Sequence, residues 1–152
     1  MPVRIIAIGK KHESWVAEGI QRYQKRLKAP FFVEWVLMVH SAFEGDRARQ
    51  EESERILSTL SAHAYVIVLD ERGKMLDSPQ LAKTLGDQLD RSIDVVLIIG
   101  GAYGVDDRLR DRANLVWSLS PLVFPHQLVR LILIEQLYRA QQITIGGPYH
   151  HE

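Results

Sequence analysis

Five short segments carry the residues that could do chemistry. Gly100-Gly101-Ala102-Tyr103-Gly104 follows the apolar run Asp94–Ile99 (DVVLII). Glycines at the carboxyl end of a buried strand let the backbone approach a ligand closely. The spacing is not G-x-G-x-x-G after a first strand, and no Lys-Ser/Thr of a P-loop follows, so the segment reads equally as a tight turn. Asp70 ends the run Tyr65–Leu69, before Arg72-Gly73-Lys74. A carboxylate there can hold a ribose or a cation, and it can also simply start a turn. Leu119–Phe124 (LSPLVF) precedes Pro125 and must be mostly loop. A loop this apolar calls for burial, and its backbone N–H and C=O groups then need partners. An adenine ring would supply them, as would a second subunit packed over the loop. His126 and Arg130 share a face at the start of the last helix, where an anion is favoured. Glu135 and Arg139, four residues apart, form a pair on that helix. The tail Tyr149-His150-His151-Glu152 ends in aromatic and imidazole groups. Adjacent histidines in an extended tail point opposite ways, which argues against a metal site.

The elements that must position these residues follow from periodicity. Strands are expected at Val3–Ile8, Phe31–Val39, Tyr65–Leu69, Asp94–Ile99 and Leu115–Ser118. Helices are expected at 13–28, 49–60, 78–91, 106–112 and 126–142, with Ser78 as N-cap and Pro79 at the first position of the third. Strands and helices alternate, and the strands are continuous apolar runs. That pattern predicts one α/β domain over residues 1–152, with a mostly parallel sheet covered by helices on both faces. The last helix is apolar nearly all round, through Leu128, Leu131, Ile132, Leu133 and Leu137, which predicts burial against a second copy of the chain.

Composition sets limits. The 152 residues are 46% hydrophobic and 25% charged, as in a folded globular protein. There is no cysteine, so thiolate metal sites, cysteine nucleophiles and disulfides are excluded. The formal net charge is zero, which excludes binding to naked nucleic acid through bulk charge but leaves room for a local patch. Arg22, Lys25, Arg26 and Lys28 are the candidate patch. The apolar run at the N-terminus is interrupted by Arg4, and the longest apolar stretch, Leu128–Ile134, contains Arg130. Neither reads as a signal peptide or a membrane span, so a cytoplasmic protein is expected.

The segments LDERGKMLDSPQLA, IIGGAYGV, WSLSPLVFPHQLVRLILIEQLYRAQQI and PYHHE resemble, in order and spacing, the ribosomal RNA large-subunit methyltransferase H family of the SPOUT class. The likeness runs from Ile5 to the C-terminus, and FPHQLVR…IEQLYRA is its most specific part. It implies an α/β fold ending in a trefoil knot, a homodimer, and S-adenosyl-L-methionine as cofactor. The implied activity is methylation of N3 of a pseudouridine in 23S rRNA of the assembled ribosome. The family's cofactor positions fall on Leu69, Gly100, Leu119, Ser120, Pro121, Leu122, Val123 and Phe124. Val123 stands where relatives often carry Thr, which removes a hydroxyl contact. His151 stands where they often carry Arg or Lys, which removes a phosphate contact. Tyr149 and His150, reaching in from the partner's tail to stack on a flipped-out base and take its proton, are the candidate catalytic pair. The rival readings are a non-catalytic ribosome-associated protein of the same fold and a SPOUT enzyme acting on tRNA. A Rossmann-type methyltransferase lacks support, because the first strand is followed by no glycine fingerprint.

Overall fold

The computed structural model describes residues 2–151. Strand and helix alternate throughout: β1 (Val3–Ile8), α1 (Ser14–Gln24), β2 (Val33–Met38), α2 (Gly45–Ser58), β3 (Tyr65–Met75), α3 (Ser78–Asp90), β4 (Val95–Ile99), α4 (Asp107–Arg112), β5 (Leu115–Ser118) and α5 (His126–Ile145). The sheet order is β2-β1-β4-β3-β5, and every pairing is parallel. Parallel neighbours need crossovers, and the helices supply them.

Side chains alternate across each strand, so each apolar run feeds two cores. Ile5, Ala7, Ile67, Leu97 and Ile99 pack under α1, α3 and α5 through Ile20, Leu81, Leu85, Leu133 and Leu137. Ile6, Ile8, Val66, Val68, Val96 and Ile98 pack under α2 and α4 through Ile56 and Leu109. Most of these side chains are fully buried. This is the expected architecture, with the sheet parallel throughout.

Two local expectations change. The third strand does not stop at Leu69. It bulges at 70–73 and resumes, so that both Leu69 and Lys74 align with Trp117 of β5. Gly73 makes this approach feasible, since a Cβ there would lie 2.5 Å from the carbonyl oxygen of Val116. The N-cap of α3 is Asp77, not Ser78. Its side chain accepts from Gln80 N (2.8 Å) while Gln80 Oε1 accepts from Asp77 N (2.9 Å), a reciprocal capping box. Ser78 is instead the first helical residue, and its hydroxyl donates to Gln136 of α5 at 2.7 Å. Along α5, the chain itself leaves partly open the face expected to meet a second copy. Leu133, Ile134 and Leu137 are buried, while Leu128, Leu131 and Ile132 are half-buried.

Candidate functional site

The carboxyl ends of β3, β4 and β5 open into a pocket of about 450 Å³, within the usual size range of small-ligand sites. Its apolar wall is Leu69, Ile99, Trp117 and Val129, its rims are the 100–105 and 119–124 loops, and His126 closes the base. Of the residues assigned to the cofactor from sequence, Leu69, Gly100, Leu119, Ser120, Leu122, Val123 and Phe124 meet here. Pro121 is exposed and is not among the lining residues. Sequence reasoning left out Trp117, Val129 and His126 as lining residues. Trp117 ends a strand and His126 opens a helix next to the loop, and those positions are the signal that could have found them.

The glycine segment is both a turn and a wall. Gly104 N donates to Gly101 O at 3.0 Å, and Gly104 has φ +76°. Gly100 packs so closely on Val105 Cγ1 that a Cβ would lie 2.9 Å from it. The opposite loop is not buried by its own chain: Leu122 is 69% and Val123 79% exposed. Among the described residues, no backbone–backbone hydrogen bond involves residues 119–124. The loop's local bonds come from two serines, with Ser118 Oγ donating to Ser120 O and Leu122 N donating to Ser120 Oγ, both at 3.0 Å. A chain with open N–H and C=O groups along a pocket can satisfy a heteroaromatic ligand edge.

Asp70 is a charge anchor at the rim. It accepts from Arg72 N (2.9 Å), from the Arg72 guanidinium (3.2 and 3.3 Å) and from Arg110 (3.4 Å). Burial pushes its carboxyl upward, but the bonds from Arg72 and the charges of Arg72 and Arg110 outweigh it and hold the group below its ordinary value. Both arginines are thereby tied down at the rim.

Arg130 is fully buried and holds the loop after β1. It donates to Lys11 O (3.1 Å), Ile8 O (3.3 Å) and Gly9 O (3.2 Å) and meets His12 Nδ1 at 3.1 Å. It is therefore a buried clamp, not the anion site expected from its place on the helix. Gly9, at φ +128°, makes room for it, because a Cβ there would lie 2.7 Å from Arg130 Nη2. His126, one turn earlier, has a buried Nε2 with no partner. Burial, and then the Arg130 charge, push its pKa down to about 4, with the Gly100 and Ile99 backbone opposing. Above pH 5 it is a neutral imidazole on the pocket wall.

The tail folds back on its own helix. Tyr149 Oη donates to Glu135 Oε2 (3.1 Å), and its ring lies 4.8 Å from both the Tyr138 centroid and the Arg139 guanidinium carbon. Arg139 pairs with Glu135 at 2.9 Å, as the four-residue spacing predicts, and donates to His150 Nδ1 at 3.2 Å. Burial and then the Glu135 charge hold the Tyr149 phenol well above its ordinary value, so it is a donor, not a base. His150 borders a second cleft with Ser78, Ile132 and Gln136, and this cleft shares Trp117, Leu119 and Phe124 with the first pocket. Tyr149 lines neither cleft. Glu152 lies outside the described residues. Among the described residues, no cluster of His, Asp and Glu could hold a metal ion, and no helix is long and apolar enough to cross a membrane.

A wholly parallel α/β sheet that opens a ligand-sized pocket at its carboxyl edge places the chain in the class of α/β proteins that take ligands there. The comparisons with known proteins narrow that class. A family model described as "Predicted SPOUT methyltransferase" matches residues 1–150. The ribosomal RNA large subunit methyltransferase H of Pelobacter propionicus is 42% identical over 154 residues, covering 99% of this chain and 100% of that protein. The protein of that name from Thioalkalivibrio sulfidiphilus is 39% identical over 156 residues, covering both chains completely. A solved methylase family protein from Neisseria gonorrhoeae superposes with TM-score 0.50 at 15% identity, over 99% of this chain and 85% of that one, which bears on the fold alone. The chain belongs to the SPOUT methyltransferases, within the ribosomal RNA large subunit methyltransferase H family.

Proposed function

We propose that this protein uses S-adenosyl-L-methionine to methylate N3 of a pseudouridine in 23S rRNA, acting on the assembled ribosome in the cytoplasm. The observation that carries the cofactor is the 119–124 loop, which makes no backbone–backbone hydrogen bond among the described residues and lines a pocket of suitable volume. Leu119, Ser120, Leu122, Val123 and Phe124 receive the adenine edge, and Leu69, Ile99, Trp117 and Val129 enclose it. Val123 offers its backbone there, so the hydroxyl that relatives often carry is dispensable. Gly100 keeps the opposite wall thin.

When bound, the cofactor supplies an electrophilic methyl group on a sulfonium. The chain has three tasks around it. It holds the ligand in place, and an apolar wall of this kind keeps water off the reaction. It brings the nucleotide to the pocket mouth, which calls for an extruded base. It accepts the proton that the target nitrogen must lose. We assign the last two tasks to Tyr149 and His150 of a partner subunit, as stacking group and proton acceptor. For this the tail must leave the Glu135–Arg139 pair on its own helix, which frees His150 Nδ1. The homodimer this requires would use the apolar end of the groove between α1 and α5, where Trp15 is 50% exposed beside Leu128, Leu131 and Ile132, and would leave the Arg22, Lys25 and Arg26 end to the RNA. The 119–125 segment and α5 form the threaded part of the knot in this reading.

Calorimetry tests the cofactor. S-adenosyl-L-methionine should release heat with the wild-type protein and none with Gly100→Val, whose side chain has no space beside Val105 and Gly104. A wild-type protein that gives no heat would overturn the proposal in favour of a non-enzymatic ribosome-binding role.

A further inference from the structure

Glu52 is buried within α2, with 4% of its surface exposed. One carboxyl oxygen, Oε2, accepts from Ser41 N at 2.9 Å. The other, Oε1, is buried and has no partner. An unmatched oxygen in the interior is costly and needs a physical reason. It points at the glycine loop: a Cβ built on Gly101 would lie 2.8 Å from Oε1. The next residue of α2 grips the far end of the same loop. Ser53 Oγ accepts from Asp106 N at 3.0 Å, and Asp106 in turn caps α4 through Leu109 N at 3.1 Å. The loop is therefore anchored by α2 at its end, while Ala102, Tyr103 and Gly104 between are exposed. At its start the anchor is present but its acceptor is unfilled.

We propose that Glu52 is a positioning residue for the cofactor: its free carboxyl oxygen is the seat for a backbone N–H of the Gly101–Ala102 segment when that loop settles onto the bound cofactor. This rests on reading the pocket as an S-adenosyl-L-methionine site. Closure and binding are then linked, because the ligand-bound loop fills an acceptor that is empty without it. Only glycine at 101 lets the carboxyl group come so near the backbone.

Glu52→Gln is nearly isosteric and has a sharp consequence. The amide has one oxygen for two sites, so either Ser41 N or the loop N–H faces an NH2 group. The variant should bind S-adenosyl-L-methionine about tenfold more weakly by calorimetry, the scale of one lost bond to a buried carboxyl group. Its KM for ribosomes should not move. Hydrogen exchange across residues 100–106 should slow on cofactor addition in the wild type and stay fast in the variant. A merely structural residue would lower the melting temperature without removing that cofactor-dependent protection. Gly101→Ala pushes on the same oxygen from the other side and should reproduce both effects, so it decides the matter if Glu52→Gln does not fold. Wild-type affinity and wild-type protection in the variant that folds would overturn the proposal. A wild-type protein that does not bind S-adenosyl-L-methionine removes the pocket reading first, and this proposal with it.

Discussion

Arg130→Met tests the clamp that ties the start of α5 to the end of β1. The methionine keeps an apolar stem of similar length and removes the guanidinium. Three carbonyls, of Ile8, Gly9 and Lys11, then lose their charged donor. Hydrogen bonds to charged groups are each worth roughly 1.5–3 kcal/mol. Part of that is offset by no longer burying a charge, so the net loss is on the order of 4 kcal/mol. For a chain of this size the melting temperature should fall by on the order of 10 °C. Equilibrium urea unfolding measures the loss directly. A second readout is local. His12 is pushed down by burial and then by the Arg130 charge, so its NMR titration should move up once the charge is gone. Gly9→Ala should also destabilise, because its Cβ would strike the same guanidinium. A loss below about 1 kcal/mol in Arg130→Met, with His12 unmoved, would refute the clamp.

His126 has a folded pKa of about 4 against an ordinary value of 6.5, so the unfolded chain takes up the proton first. Stability should be intact above pH 6.5 and fall as the pH drops toward 4, by about 2 kcal/mol after allowance for partial exposure. An imidazole titrating near 6.5 in the folded protein would contradict this. Deleting residues 149–152 should abolish methylation while S-adenosyl-L-methionine affinity, measured by calorimetry, stays nearly unchanged; full activity of the truncated chain would remove Tyr149 and His150 from the reaction. The patch of Arg22, Lys25, Arg26 and Lys28 sits at the far end of α1, where Gln141 binds both Lys28 N and Arg26 O, ~20 Å along α5 from its first turn. If this patch meets ribosomal phosphate, Arg22→Glu/Arg26→Glu should raise the KM for ribosomes several-fold and reduce its salt dependence. Unchanged kinetics would mark it as an ordinary solvated helix face.

Much of the fold was legible because the sheet is buried on both faces. Runs such as VVLII and YVIVL can only be strands of that kind, and their alternation with helical patterns leaves little choice of architecture. The 119–124 loop stood out for a related reason, since LSPLVF is apolar where regular structure is impossible. Within its own chain Leu122 and Val123 remain exposed, which leaves the expected cover to a ligand or a second subunit. Contacts between segments distant in sequence stayed hidden. The resumption of β3 after Gly73 depends on β5 arriving beside it, more than forty residues later. Arg130 on a helical wheel suggests an anion site, and only its burial against β1 shows that carbonyls are its partners. Glu52 reads as one more charge in the acidic run Glu44–Glu54, and its isolation against Gly101 emerges from packing alone. The Asp77 cap competed with a plausible Ser78-Pro79 start, and the reciprocal bonds with Gln80 decided it.

The proposed activity is methyl transfer to one nucleotide of the large-subunit RNA. Its most direct test is incubation of the purified protein with S-adenosyl-L-methionine labelled in the methyl group and ribosomes from a strain lacking the modification, followed by mass mapping of the RNA. One labelled methyl group should appear on one 23S rRNA fragment, located at N3 of a pseudouridine. Label on tRNA instead, or no label with a protein that demonstrably binds the cofactor, would contradict it.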